Sequence, residues 1–178
     1  TSNKIAPTVE TEEPPLLLTS EVEIRHHRGG QPTTKGYFEK PLTDNWGMYL
    51  SAFTTRGWDE VTVGPVYYVT PEMSVGIGVG SSRYMASDEE EKSSHPTTSA
   101  FWYLKSENWE AELLVERYKR DSVAPTYHEA YVQRKVADNL SVGIFVQSDL
   151  GWGPRISYTA NKNLSFWASP IIRRSGES

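Results

Sequence analysis

A turn motif recurs along this chain and constrains its fold more than any other feature of the sequence. Asn follows a charged residue and precedes Trp or Leu in four places: Asp44-Asn45-Trp46, Glu107-Asn108-Trp109, Asp138-Asn139-Leu140 and Lys162-Asn163-Leu164. Pro71-Glu72-Met73 is a degenerate fifth copy. Asn tolerates positive φ and caps its own backbone, so each copy predicts a tight turn. The large apolar residue after it begins the next strand.

The segments between these turns alternate apolar and polar residues with a period of two. Val75, Ile77 and Val79, for example, are separated by single glycines. This period is typical of β-strands that have one apolar face. Five hairpins are predicted, at 36–53, 61–79, 99–118, 128–147 and 155–172, and residues 21–28 add an eleventh strand.

The connections at the opposite end of the hairpins are more variable, and the one over residues 81–98 is long and acidic. Short uniform turns at one end and diverse loops at the other are typical of an up-and-down meander. The sequence therefore predicts an all-β fold: an antiparallel meander of about 10–11 strands closed into a barrel. Residues 21–178 are expected to form this single domain.

Residues 1–20 differ from the rest of the chain because they contain three prolines, four Glu or Lys charges before the Pro pair and one short run of leucines. This composition favours an extended arm. Its one apolar run, Leu16, Leu17 and Leu18, supplies the anchors by which the arm would dock. An ordered arm needs a surface to lie on, so we expect it to contact protein subunits, either copies of this chain or another protein.

Composition excludes several classes of function. The chain of 178 residues has no cysteine, which rules out thiolate catalysis and Cys-ligated zinc. With 18 basic and 23 acidic residues its net charge is −5, so a nucleic-acid partner is not expected. Residues 1–13 lack the apolar core of a signal peptide. The sequence indicates no enzyme, no catalytic residue, no cofactor, no metal and no identifiable small-molecule ligand.

A few residues of the sequence are candidates for chemistry or for loop contacts. His128 with Ser122 or Ser148 matches no spacing that a hydrolase demands. Trp58 and Trp152 lie in predicted turns at the loop end, where each could stack on a sugar or a partner, or simply pack within its turn.

The strand pattern resembles that of small bacterial outer-membrane β-barrels. Residues 74–80, SVGIGVG, and 139–146, NLSVGIFV, look like strands that follow a periplasmic turn in that class. The resemblance covers about residues 36–172 and implies a membrane-embedded barrel. Two features depart from the pattern. The chain ends in RRSGES rather than in an aromatic residue, and an odd strand count would make the closing pair parallel.

The pattern leaves open which way the apolar face points. Most strands offer three apolar residues on one face, enough for the core of a small water-soluble barrel, whereas a membrane-spanning strand needs about 9–11 residues with roughly five facing lipid. The same face could instead contact lipid, with the polar residues filling the interior.

The sequence therefore supports three hypotheses about function. The first is a non-catalytic subunit of a virion or surface assembly, a barrel that docks to its neighbours through the arm. The second is an outer-membrane β-barrel acting as a pore, an adhesin or an envelope-stabilising protein. The third is a soluble barrel that binds a small apolar ligand in its lumen.

Overall fold

A computed structural model of the chain describes residues 17–24, 32–55, 58–84, 93–118, 126–148, 151–161 and 164–172. Within these ranges the chain forms eleven strands and no helix. The strands are β1 (Leu17–Ile24), β2 (Pro32–Pro41), β3 (Trp46–Thr55), β4 (Trp58–Thr70), β5 (Met73–Tyr84), β6 (Ser93–Lys105), β7 (Trp109–Tyr118), β8 (Thr126–Ala137), β9 (Leu140–Gln147), β10 (Gly151–Asn161) and β11 (Leu164–Ala168).

All eleven strands belong to one sheet in which each strand pairs with its neighbour in sequence, always antiparallel. The predicted all-β meander is therefore confirmed. The sheet begins at Leu17, so the last four residues of the predicted arm lie in β1, while residues 1–16 lie outside the described residues. The long loop predicted over 81–98 is shorter than expected, because β5 continues to Tyr84 and β6 already begins at Ser93.

The repeated turn motif has a structural role beyond reversing the chain. The carbonyl oxygen of Asn45, in the turn between β2 and β3, accepts a hydrogen bond of 2.9 Å from the backbone N–H of Tyr68 in β4. Asn108 and Asn139 accept equivalent bonds from the hairpin that follows each of them. Glu72 does the same, so the degenerate copy works like the others. Each of these four turns is thus bonded to the strand that leads into the next turn along this rim, called the turn end below.

The prediction that the sheet closes into a barrel is not borne out by the backbone pairing of the described residues. β1 pairs only with β2, and β11 pairs only with β10. Two features of the chain account for the open edges. An odd number of strands in an antiparallel meander leaves β1 and β11 pointing the same way, and the regular part of β11 is five residues long. Beyond it Pro170, which has no N–H, interrupts the pairing with β10 until Ile172 bonds opposite Trp152.

The sheet is nevertheless strongly curled. The ammonium group of Lys35 in β2 lies 2.9 Å from a carboxylate oxygen of Glu129 in β8. The hydroxyl groups of Tyr49 in β3 and Ser99 in β6 are 2.7 Å apart. Strands that are far apart in the sheet therefore meet through their side chains, which gives the sheet an inner, concave face and an outer, convex face.

Candidate functional site

The outer face of the sheet is apolar and exposed. Ile77 and Val79 in β5 are 65% and 64% exposed, and Ile144 in β9 is 51% exposed. The sequence left open which way the apolar face of the strands points. In the structure Val75, Ile77 and Val79 point away from the interior. The exposed large apolar residues on this face of β3 to β10 are Trp46, Met48, Leu50, Val61, Val63, Tyr67, Val69, Val75, Ile77, Val79, Trp109, Leu113, Val132, Val136, Val142, Ile144, Val146, Trp152, Ile156 and Tyr158.

Strand register makes these residues continuous. Paired residues of antiparallel strands share a face of the sheet. Leu50 of β3 pairs with Val63 of β4, which pairs with Val79 of β5. Further along the sheet, Val132 of β8 pairs with Ile144 of β9. The apolar positions therefore join into a belt that crosses strand boundaries, and we call it the outer belt.

Aromatic residues border the outer belt at the turn end. The rings of Trp46 and Tyr67, from β3 and β4, lie 4.9 Å apart. Trp109 of β7 lies under the guanidinium group of Arg134 of β8, at 5.7 Å from the ring centroid. Rings with one polar edge suit the boundary between an apolar phase and water.

Charged and hydroxyl groups border the outer belt at the loop end. Arg83 of β5 lies 3.5 Å from Asp59 of β4, and the hydroxyl group of Thr54 donates a 2.6 Å hydrogen bond to that same carboxylate. Ser81 of β5 hydrogen-bonds to Ser94 of β6. The outer belt is therefore apolar in the middle and polar at this edge.

The inner face reverses the usual distribution of residues in a water-soluble protein. Only four hydrophobic residues of the described part are fully buried, and the buried polar residues outnumber them. Those polar residues are Glu39, Glu60, Thr62, Ser74, Ser82, Thr97, Ser99, Glu129, Gln133, Gln147 and Arg155. Charged groups are almost never buried unless they are paired, so their partners decide whether this interior is stable.

Glu110 of β7 is the first centre of the interior hydrogen-bond network. Its carboxylate accepts hydrogen bonds from the hydroxyl groups of Tyr103 and Tyr131 at 3.0 and 3.1 Å. The side-chain amide of Gln133 donates to it at 2.8 Å, and the hydroxyl group of Ser157 donates to Gln133 at 2.7 Å. The network thus joins side chains of β6, β7, β8 and β10.

Glu129 of β8 is the second centre. Lys35 donates to both of its carboxylate oxygens, at 2.9 and 3.0 Å, and the Tyr127 hydroxyl and the Gln147 amide donate as well. A buried carboxylate with this many donors is well compensated. The bond from Lys35 also ties β2 to β8.

A carboxyl pair links two further strands across the interior. The carboxyl groups of Glu60 of β4 and Glu116 of β7 lie within hydrogen-bonding reach of each other. The side chain of Trp58 also hydrogen-bonds to Glu60. The interior is therefore crossed by side-chain links at several levels.

Aromatic rings fill the space between these polar centres. The guanidinium group of Arg155 in β10 lies 4.0 Å from the ring centroid of Tyr131 and 4.3 Å from that of Trp167. Trp167 belongs to β11, so this stack fastens the last strand to the sheet.

The stripe of glycines in β5 faces this crowded interior. A Cβ atom placed on Gly76 would lie 2.2 Å from the ring of Phe101, and one on Gly78 would lie 2.0 Å from the hydroxyl group of Tyr49. The glycines are needed because the rings of the facing strands occupy the space where side chains would be.

The structure separates the residues that the sequence grouped as arm anchors. Leu16 lies outside the described residues. Leu17 and Leu18 are the first residues of β1, where their backbones pair with Glu39 and Phe38 of β2. The docking role of these leucines stays a prediction.

The two tryptophans predicted as loop contacts lie in strands. Trp58 is the first residue of β4, is partly buried, and packs its ring 4.9 Å from that of Tyr118. Trp152 lies in β10 and is 53% exposed on the outer face, where its pairing with Val146 places it. Of these two tryptophans, Trp152 is therefore the one whose ring is exposed enough to contact a partner.

Other candidate chemistry does not assemble in the part of the chain that the structure describes. His128 is exposed, and the hydroxyl group of Ser148 contacts its backbone N–H rather than its imidazole. Ser122 lies outside the described residues. No group of three or more acidic or histidine residues among those described is arranged to hold a metal ion. None of the described segments is a helix long and apolar enough to cross a membrane.

The described network centres, Glu110 and Glu129, were not singled out by the sequence. Alternation marks their positions as polar, but it does not indicate which acids gather around which donors.

Comparison with known proteins adds no further constraint. A scan against protein-family models, a search of curated proteins and a search of solved structures each found no match.

Proposed function

We propose that this protein is an integral β-barrel membrane protein, a non-catalytic anchor of the outer-membrane type whose outer belt contacts lipid. One observation carries this proposal: large apolar side chains are exposed on the convex face while carboxylate, amide and guanidinium groups are buried on the concave face. In this arrangement the curled sheet forms the barrel wall.

The proposal follows from the free-energy cost of exposing the outer belt to water. Water-soluble monomers rarely expose contiguous apolar patches larger than a few hundred Å². In water the outer belt would lose the contribution of burial, about 25 cal/mol per Å² of apolar surface. In a bilayer the same surface is matched by acyl chains. The polar interior is then shielded from lipid, as every polar group within a membrane must be.

The lengths of the strands fit the same environment. Strands that cross a bilayer have about 9–11 residues because they are tilted. The six strands from β3 to β8 have 10 to 13 residues each. The aromatic border at the turn end and the polar border at the loop end would lie at the two interfaces.

The interior favours an anchor over a wide pore. Lys35 and Glu129 meet across the lumen, as do Tyr49 and Ser99, so side chains occupy the space through which a channel would pass. The polar character of this interior also argues against the third hypothesis, since a pocket for an apolar ligand is lined mainly by apolar side chains.

Partitioning tests the proposal directly. We expect the refolded protein to require detergent, to float with lipid vesicles in a density gradient, and to run on gels at a position that changes on heating. Carbonate or urea washes should leave it in the vesicle fraction. A monodisperse, fully soluble protein without detergent would contradict the proposal.

The same experiment distinguishes the membrane proposal from the hypothesis of a subunit in a larger assembly. If the outer belt were covered by neighbouring copies rather than by lipid, the protein would form defined oligomers in detergent-free buffer. Light scattering of a sized fraction would detect them. The outer belt would then be a protein interface, and residues 1–20 would be the element that docks one subunit to the next.

A further inference from the structure

We infer that the two open edges of the sheet pair with each other in the membrane, so that β1 and β11 close the wall as a parallel strand pair within one chain. This inference rests on the proposed function and names the partner of each edge. The experiment below is designed so that either proposal can fail without the other.

The first step is the cost of an open edge in lipid. An edge strand presents a row of unpaired N–H and C=O groups. Each such group costs several kcal/mol in hydrocarbon, so open sheet edges do not occur in contact with lipid. In the described residues β1 and β11 are the two edges. If the outer belt contacts lipid, both edges must be paired.

The second step is the direction of the edges. Ten successive antiparallel pairings join the eleven strands, so β1 and β11 run the same way, from the turn end to the loop end. Direct pairing of these strands is therefore parallel. A second copy inserted in the same orientation would also meet this edge in parallel, with β11 of one copy against β1 of the other.

The third step is the stagger of the strands. Closing a sheet into a cylinder requires the strands to tilt and their register to shift steadily. Such a shift is visible when paired residues are followed across the sheet. Starting near the turn end of β1, the pairing runs Thr19, Tyr37, Ser51, Thr62, Gly80, Thr97 and Tyr118. It ends on the last residue of β7, at the loop end.

The fourth step is the curvature. Lys35 and Glu129 are six strands apart in the sheet, yet their charged groups are 2.9 Å apart. A cylinder widens with its number of strands. Closure by two copies would give twenty-two strands and would pull this ion pair apart. The contact therefore favours closure within one chain.

The register of the two edge strands assigns residues of each to the outer face of the sheet. In β11 Phe166 is 57% exposed and Trp167 contacts the interior through Arg155. In β1 the register positions Leu18, Ser20 and Val22 lie opposite Phe38, Gly36 and Thr34 of β2. These positions of β1 therefore belong by register to the outer face, as Phe166 and Ala168 of β11 do.

Disulfide trapping tests the closure cleanly because the chain has no native cysteine. Ala168→Cys, on the outer side of β11, is combined in turn with Leu18→Cys, Ser20→Cys, Val22→Cys and Ile24→Cys. Neighbouring strands lie about 4.8 Å apart, within the range that a disulfide bridges. Residues two apart on one face differ by about 6.6 Å, so only one or two registers can react.

The expected result is intramolecular oxidation of most of the vesicle-inserted protein for one or two of these four pairs, with background levels for the others. Ala168→Cys with Ala100→Cys is the matched control, since Ala100 lies in the middle of the sheet on the same outer face. That pair should not react.

Two results would overturn the inference. Disulfide-linked dimers, from Ala168→Cys alone or from any of the four cysteine pairs, would mean that a second copy pairs with the edge. Absence of any cross-link in protein that floats with vesicles would mean that the edges stay apart, although the membrane proposal would stand. The single-cysteine variants, floated in parallel, verify that insertion itself is intact. Failure of the unmodified protein to float would instead contradict the membrane proposal.

Discussion

The two faces of the sheet are built from the same strands but in opposite ways. On the outer face Ile77 and Val79 pack against little and stay exposed, whereas on the inner face Glu129 and Gln147 are almost fully buried within a hydrogen-bond network. In a water-soluble barrel the apolar residues would be buried on the inner face and the polar residues exposed on the outer face. The period of two is identical in both cases, so the choice between them lies in which face the sheet curls around.

The curl itself follows from side-chain size and pairing rather than from hydropathy. Gly64, Gly76 and Gly78 lie on the inner face, where a Cβ atom would meet a backbone oxygen, a ring carbon or a tyrosine hydroxyl group at 2.2 Å or less. The inner face is therefore the crowded side, and branched residues such as Val63 and Ile77 occupy the roomier convex side. The inner face has little space and many hydrogen-bond donors, so its charged groups are stabilised by pairing. The stability of the outer face depends on whether it contacts water or lipid.

The largest effect should come from placing a charge in the middle of the outer belt. Ile77→Arg is expected to lower the free energy of unfolding in vesicles by about 2–4 kcal/mol, the cost of an arginine at the bilayer midplane of a β-barrel. Ser81→Arg, on the same face of the same strand but at the polar edge of the belt, should cost about 0–1 kcal/mol. Urea titration followed by tryptophan fluorescence measures both values.

The contrast between these two variants identifies the solvent of the outer face. If this face were in water, Ile77→Arg would be a surface substitution worth within about 0.5 kcal/mol. Equal and small effects at both positions would therefore contradict contact with lipid.

The next largest effect concerns the ion pair that spans the interior. Lys35→Met leaves Glu129 buried without its cation. Breaking a fully buried pair costs about 3–5 kcal/mol; because the Lys35 side chain is still 22% exposed, we expect about 2–3 kcal/mol in the same titration. Lys135→Met removes an exposed lysine paired with Asp138 and should cost less than about 0.5 kcal/mol. Similar losses for the two variants would mean that the interior is wet enough to screen the pair.

Sequence alone predicts the fold better than the site. The turns at Asn45, Asn108 and Asn139 and the alternation between them are local signals, so strand number and pairing order can be predicted from them. These local signals do not predict which face becomes the interior. That depends on the contact between Lys35 and Glu129, which lie 94 residues apart in the chain. Closure is equally non-local, since it concerns the first and last strands.

Two glycines on opposite faces allow the crowding to be measured. Gly76→Ala should destabilise the protein by about 1–3 kcal/mol, since the added methyl group would overlap the ring of Phe101, which is itself packed against Tyr49. Gly36→Ala adds the same methyl group where nothing lies within 4 Å, and should change stability by less than about 0.5 kcal/mol. Comparable effects would indicate that the interior is looser than its contacts imply.

The smallest predicted difference compares one type of interaction on the two faces. Arg155 stacks between Tyr131 and Trp167 in the interior, whereas Arg134 covers Trp109 on the outer face. A cation over a ring contributes about 0.5–1 kcal/mol when exposed and about 2 kcal/mol when desolvated. Arg155→Met should therefore cost about 2 kcal/mol and Arg134→Met about 0.5–1 kcal/mol, measured by urea unfolding.

Arg155→Lys separates charge from stacking at the inner position. It keeps the positive charge but loses the planar guanidinium that fits between the two rings, so it should recover only part of the loss. Full recovery would mean that Arg155 acts as a counter-charge for the interior acids rather than as the link that holds β11. Because β11 is an edge, such a result would also shift the explanation of its stability from this stack to its backbone pairing.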